Sequence, residues 1–66
     1  MTIKVNESLR KFSNTLTLQE LINGLRVQTN GIAVAVNENV IKKENWTSHK
    51  LRDNDNVLII KSTQGG

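Results

Sequence analysis

The clearest signal in the chain is a change of hydrophobic period. Thr2 to Asn6 alternates, with Ile3 and Val5 on one side and Thr2, Lys4 and Asn6 on the other. That is the pattern of a strand with one face buried. Asn6-Glu7-Ser8 reads as a turn and Leu9–Phe12 as a short return strand. At Thr17 the period lengthens. Leu18, Leu21, Ile22 and Leu25 fall at i, i+3, i+4 and i+7, with Gln19, Glu20 and Asn23 outside the stripe. Thr17-Leu18-Gln19-Glu20 has the form of a capping box, in which the Thr hydroxyl accepts from the Glu20 N–H and the Glu20 side chain reaches back to the Thr17 N–H. A helix is therefore predicted from about Thr17, weakened near its end by Gly24.

Beyond the Asn30-Gly31 turn signal, Ile32–Val36 alternates large residues with Ala33 and Ala35, so Val34 and Val36 are assigned to the helix side. Asn37-Glu38-Asn39 turns the chain, and Val40–Lys42 returns as an edge strand. Lys43–Arg52 reads as a loop or short helical turn with Trp46 and Leu51 as plugs. Asp53-Asn54-Asp55-Asn56 begins like a calcium loop, but Leu58 stands where the loop needs Gly and Gln64 where it needs Glu, so it is a turn. Val57–Ile60 is apolar on both faces, as a central strand should be. Strand, strand, helix, strand, strand, strand implies an α+β layer with one main helix on one face of a mixed sheet of about four to five strands. Pairing the last strand with the first puts both at the centre, which is the ubiquitin-like β-grasp arrangement. Residues 1–62 form the expected domain, and 63–66 a flexible tail.

Composition narrows the chemistry. A chain of 66 residues buries only about 60% of the surface its unfolded form exposes. With no Cys it has neither a disulfide nor a thiolate metal site, and the single His49 cannot hold zinc alone. No metal site is expected. The net charge is +3, but the basic residues are scattered and Phe12 and Trp46 are the only aromatics, which argues against a nucleic-acid platform. No stretch resembles a signal peptide or a membrane span, so the triplets Asn6-Glu7-Ser8 and Asn45-Trp46-Thr47 are read as chance matches to a glycosylation motif. A cytoplasmic location and a monomeric free state are expected. Glu44 and His49 form an imaginable acid–base pair, but nothing supplies an activated nucleophile, a metal or an obvious pocket, so no catalytic residue is assigned.

The terminal Gly65-Gly66 gains meaning from the rest of the chain. Thr17-Leu18-Gln19-Glu20-Leu21, Val34-Ala35-Val36-Asn37, Val40-Ile41, Lys43-Glu44-Asn45-Trp46, Leu51 with Asp53-Asn54-Asp55, Val57-Leu58-Ile59-Ile60 and Gly65-Gly66 together resemble the ThiS family, the sulfur carriers of bacterial thiamin biosynthesis. The resemblance covers essentially the whole chain. Asn54 departs from the Gly expected in its turn, but Asn tolerates the left-handed backbone.

The resemblance implies that the Gly66 carboxylate is joined to AMP by an adenylating (E1-like, ThiF-type) enzyme that uses ATP and magnesium. Sulfur delivered through a cysteine desulfurase then gives a thiocarboxylate, from which a ThiG-type thiazole synthase builds the thiazole ring. The chain itself would bind no cofactor and would be a co-substrate, not an enzyme. Gly65, lacking Cβ, suits a tail that threads a narrow site. Leu58 and Ile60 are assigned to the sheet face away from the helix, with Ala33 and Ala35 beside them, as the partner-docking strip. A molybdopterin-type sulfur carrier and a ubiquitin-like protein modifier stay open as alternatives.

Overall fold

The computed structural model describes residues 1–61. Its elements are β1 (Thr2–Val5), β2 (Ser8–Lys11), α1 (Leu18–Leu25), β3 (Ile32–Val36), β4 (Asn39–Ile41), a single 3₁₀ turn (Lys43–Asn45) and β5 (Asn56–Lys61). The five strands form one sheet in the order β2-β1-β5-β3-β4. The first and last strands pair in parallel, with Val5 beside Val57, and every other pairing is antiparallel. This is the β-grasp, with β5 central as its two-sided apolar sequence requires.

Four strands differ in their bounds from the sequence reading: β1, β2 and β4 stop one residue earlier, at Val5, Lys11 and Ile41, and turn chemistry shifts the starts of β2 and β4. Asn6 and Glu7 have φ of 47° and 68°, and Asn37 and Glu38 have φ of 50° and 70°. Two successive left-handed residues make a tight hairpin turn whose twist suits the flanking strands, and Asn is among the residues that enter it most readily. The closing pairs are then Val5 with Ser8 and Val36 with Asn39. So β2 runs from Ser8 rather than Leu9, and β4 from Asn39 rather than Val40. Strand β5 extends one residue past Val57–Ile60 at each end. The turn before it puts Asn54 at φ 72°, where the sequence reading anticipated a tolerated left-handed Asn.

The helix follows the pattern closely. Thr17 caps it with both limbs of the box: Glu20 N–H donates to Thr17 Oγ1 at 3.2 Å, and Thr17 N–H to Glu20 Oε1 at 2.7 Å. The two remaining free N–H groups of the first turn find carbonyls in the loop after β4. Leu18 N–H donates to His49 O at 2.8 Å and Gln19 N–H to Trp46 O at 3.0 Å. A helix start buried against a loop would otherwise carry unpaired donors. At the other end Arg26 takes φ 57° and returns its N–H to Asn23 O, closing the helix just after Gly24 and Leu25.

The core lies between α1 and one sheet face. It joins Leu18, Leu21 and Ile22 to Ile3, Val5, Val34, Val36 and Val57, with Trp46 and Leu51 closing the end near the helix start. Trp46 is a core residue: it is buried, and its indole N–H donates to Ile41 O at 2.9 Å. That bond meets the requirement that a buried indole find an acceptor.

Candidate functional site

The site is built around the C-terminal half of β5. This strand is held between β1 and β3, so its last residue, Lys61, lies in the middle of the sheet. Asn6 tightens the arrangement. Strand β1 stops at Val5, yet Asn6 N–H donates to Val57 O at 2.9 Å and Ile59 N–H donates to Asn6 Oδ1 at 2.8 Å. A side-chain amide thus continues the ladder where the β1 backbone turns away. The start of β5 is pinned in a similar way, with Asn37 donating to Asp55 and accepting from the Asn56 N–H. The sequence reading took Asn6 as the end of the first strand and part of its turn, and Asn37 as a turn residue. Their offset from β5 shows only once the strand order is known.

Strand alternation sends Val57 and Ile59 toward the helix and Leu58 and Ile60 to the outer face, as expected. Leu58 is 45% exposed and Ile60 49%. Their partners on β3 are Ala35 and Ala33. Ala33 is exposed. Ala35 is on the same face but only 8% exposed. It faces outward, but it stands directly between Leu58 on β5 and Val40 on β4, and these larger side chains shield its methyl group.

The outer face also carries two residues the sequence reading left out. Val40, 72% exposed, prolongs the row through Ala35 to the sheet edge. Leu9, 73% exposed, sits opposite Lys4 on the far side. All the large exposed apolar side chains of the described residues therefore share one face, and no helix covers it. Counting outward from the two Asn-Glu hairpin turns would have assigned both to that face. Gly65 and Gly66, with residues 63–66 assigned as the tail, lie outside the described residues.

Elsewhere the surface offers little chemistry. Glu44 and His49 do line one shallow depression beside β4, together with Ser48. The Ser48 hydroxyl donates to Asn45 O at 3.2 Å, so it caps its own turn rather than standing as an activated nucleophile. Among the described residues no group of three or more His, Cys, Asp or Glu side chains is placed to hold a metal ion. No helix among them is long and apolar enough to cross a membrane.

Comparisons with known proteins agree with this geometry. The sulfur carrier protein ThiS of Escherichia coli (strain K12) is 29% identical over 66 residues, covering all of both chains. The crystal structure of the thiamine biosynthesis protein ThiS from Geobacter metallireducens superposes with a TM-score of 0.88 at 26% identity, again over all of both chains. A solution structure of a thiamine biosynthesis protein from the same organism gives a TM-score of 0.80 at 25% identity, covering all of this chain and 88% of that one. The ThiS family model itself matches residues 3–66, so the chain belongs to the ThiS family.

Proposed function

We propose that this chain carries sulfur for thiamin biosynthesis as a thiocarboxylate on Gly66, loaded and unloaded by partner enzymes. The observation that carries the reading is the extent of the match. The family model runs to residue 66, and the Escherichia coli carrier aligns over the whole length of both chains, which brings Gly65-Gly66 to the end of the shared pattern. The described residues fit a carrier rather than a catalyst: a small closed core, and an uncovered apolar face beside the strand that leads to the glycines.

The chemistry follows from the state of the terminal carboxylate. With a pKa near ~3.5 it is ionised at neutral pH and is a poor electrophile. In the adenylating (E1-like, ThiF-type) enzyme, with ATP and magnesium, a carboxylate oxygen of Gly66 attacks the α-phosphorus and pyrophosphate leaves. The terminal sulfur of a persulfide, charged by a cysteine desulfurase, then attacks the Gly66 carbonyl carbon and AMP leaves with the bonding pair. The product is an acyl disulfide. A second thiol takes the outer sulfur of that bond, itself becoming part of a disulfide, and the thiocarboxylate is released. A ThiG-type thiazole synthase consumes the sulfur, and the carrier returns with its carboxylate. The outer strip of Leu58, Ile60 and Ala33, extended by Val40, is the docking surface for these partners. The carrier acts as a cytoplasmic monomer and holds no cofactor of its own.

Complementation tests the reading. In a bacterial strain lacking its own thiamin sulfur carrier, the wild-type gene should restore growth without added thiazole. The Gly66 deletion should not, although its protein accumulates normally. Restoration by the deletion would refute the role of Gly66. Failure of the wild type in a strain that also holds the cognate adenylating enzyme and thiazole synthase would refute the carrier reading.

A further inference from the structure

Strand β5 is central at its start but held unequally at its end. On the β3 side its pairing runs from Val57 to Lys61, whereas β1 pairs only with Asn56 and Val57. The β1 ladder climbs by two residues at each step. Lys4 N–H donates to Asp55 O and Asn6 N–H to Val57 O, each at 2.9 Å. A parallel ladder continued from there brings the backbone carbonyl of Asn6 to the Ile59 N–H. The hairpin turn takes that carbonyl away, with Asn6 at φ 47°, and the Oδ1 of the same residue accepts the Ile59 N–H at 2.8 Å instead. Only the oxygen of a carboxamide can meet an N–H donor, so the orientation of the side chain is fixed. This bond ties β5 to the β1 side beyond the last paired residue, Val57.

We propose that Asn6 is a positioning residue for the carrier reaction: through Ile59, its carboxamide fixes the line along which β5 runs toward Gly66. The inference rests on the carrier reading and deepens it. Ile59 stands seven residues before Gly66, at most about 25 Å of extended chain, so the last tie on the β1 side sets where that reach begins. The terminal carboxylate must meet the α-phosphorus inside the adenylating enzyme, where a misplacement of about 1 Å costs up to about a hundredfold in rate. Without Oδ1 the end of β5 is held by its ladder to β3 alone. Leu58 and Ile60 keep their β3 partners, Ala35 and Ala33, so the outer face still docks. Loss of Oδ1 therefore lowers the turnover of bound carrier and leaves its binding in place.

Pyrophosphate exchange into ATP tests this, since it needs only the purified cognate adenylating enzyme, magnesium and the carrier. The carrier is the varied substrate, so a partly unfolded variant raises KM and leaves kcat alone, whereas a misplaced carboxylate lowers kcat. Asn6→Gly keeps the turn, because Gly enters positive φ without strain, and it removes Oδ1. Its kcat should fall about two- to tenfold, the factor that one net hydrogen bond spans, with little change in KM. Asn6→Asp restores an acceptor at the same place. Arg10 and Lys61 line the same cleft as residue 6, so the added charge meets cations, and kcat should return to the wild-type value. Amide hydrogen exchange at Ile59 should quicken in Asn6→Gly and slow again in Asn6→Asp. If Asn6→Gly does not fold, as judged by Trp46 fluorescence, Asn6→Ser carries the same test, its hydroxyl oxygen falling one bond short of Oδ1. An unchanged kcat, whatever happens to KM, or a loss that Asn6→Asp does not recover, would overturn the positioning role. If the wild type supports exchange and Asn6→Gly matches it, only this inference fails. If the wild type supports none, the carrier reading fails with it.

Discussion

Val57 and Leu58 are adjacent on β5 and point to opposite faces, so they give an internally controlled test of the sheet. Val57 is fully buried under α1, while Leu58 is 45% exposed on the outer face. Val57→Ala removes two methyl-sized groups from an enclosed site, about 1.6 kcal/mol of transfer free energy at about 0.8 kcal/mol per group. The cavity left behind raises this to about 2–3 kcal/mol. Leu58→Ala removes a larger side chain, but nearly half of it already faces water and no enclosed cavity results, so the expected cost is about 1 kcal/mol or less. A chain of this length has a total stability on the order of 3–10 kcal/mol, so the first change is a large fraction and the second a small one. Urea unfolding can be read from Trp46, the single tryptophan, which is buried and should shift its emission on exposure. With a slope of about 1 kcal/mol/M, Val57→Ala should lower the midpoint by about 2–3 M and Leu58→Ala by about 1 M or less. Equal losses, or a greater loss for Leu58→Ala, would show that the two faces have been assigned wrongly.

Other perturbations follow from the same contacts. Leu21→Ala, at a nearly inaccessible position in the helix stripe, should cost about 2–5 kcal/mol in the same urea assay, and a cost within error would remove Leu21 from the core. Thr17→Ala breaks one limb of the capping box and should cost about 1 kcal/mol, with Thr17→Ser recovering most of it. Trp46→Phe leaves Ile41 O without its indole donor and should cost about 1–3 kcal/mol by thermal unfolding followed by circular dichroism. Leu58→Glu and Ile60→Glu should stay folded yet bind the adenylating enzyme more weakly; unchanged affinity would take the outer face out of that interface.

Much of the fold was legible because its determinants are local. The period-two run through Ile3 and Val5, the capping box at Thr17 and the stripe from Leu18 to Leu25 each act within a few residues. Val57–Ile60, apolar on both faces, announced a central strand, and from there the order of the sheet followed. What escaped depends on neighbours across the sheet. Ala35 is shielded because Leu58 and Val40 flank it, and no property of the β3 sequence carries that information. The roles of Asn6 toward Ile59 and of the Trp46 and His49 carbonyls toward the helix start likewise depend on segments brought together by folding. The site divides along the same line. Alternation along β5 placed Leu58 and Ile60 outside without any comparison, whereas the chemistry assigned to Gly66 came from resemblance, since two glycines carry almost no structural signal of their own.

The central claim concerns one carboxylate, and intact-protein mass spectrometry addresses it directly. The purified chain is incubated with ATP, magnesium, the adenylating enzyme, a cysteine desulfurase charged with cysteine, and a thiol reductant. The wild type should gain the mass difference between one sulfur and one oxygen, located by fragmentation on the peptide ending in Gly65-Gly66, and only when ATP is present. A chain lacking Gly66 should stay at its starting mass, since its carboxylate falls short by one residue, roughly 3.5 Å of extended chain. Equal sulfur gain by the shortened chain would contradict the account, as would a wild type that never carries sulfur and is found instead joined through Gly66 to a lysine of another protein.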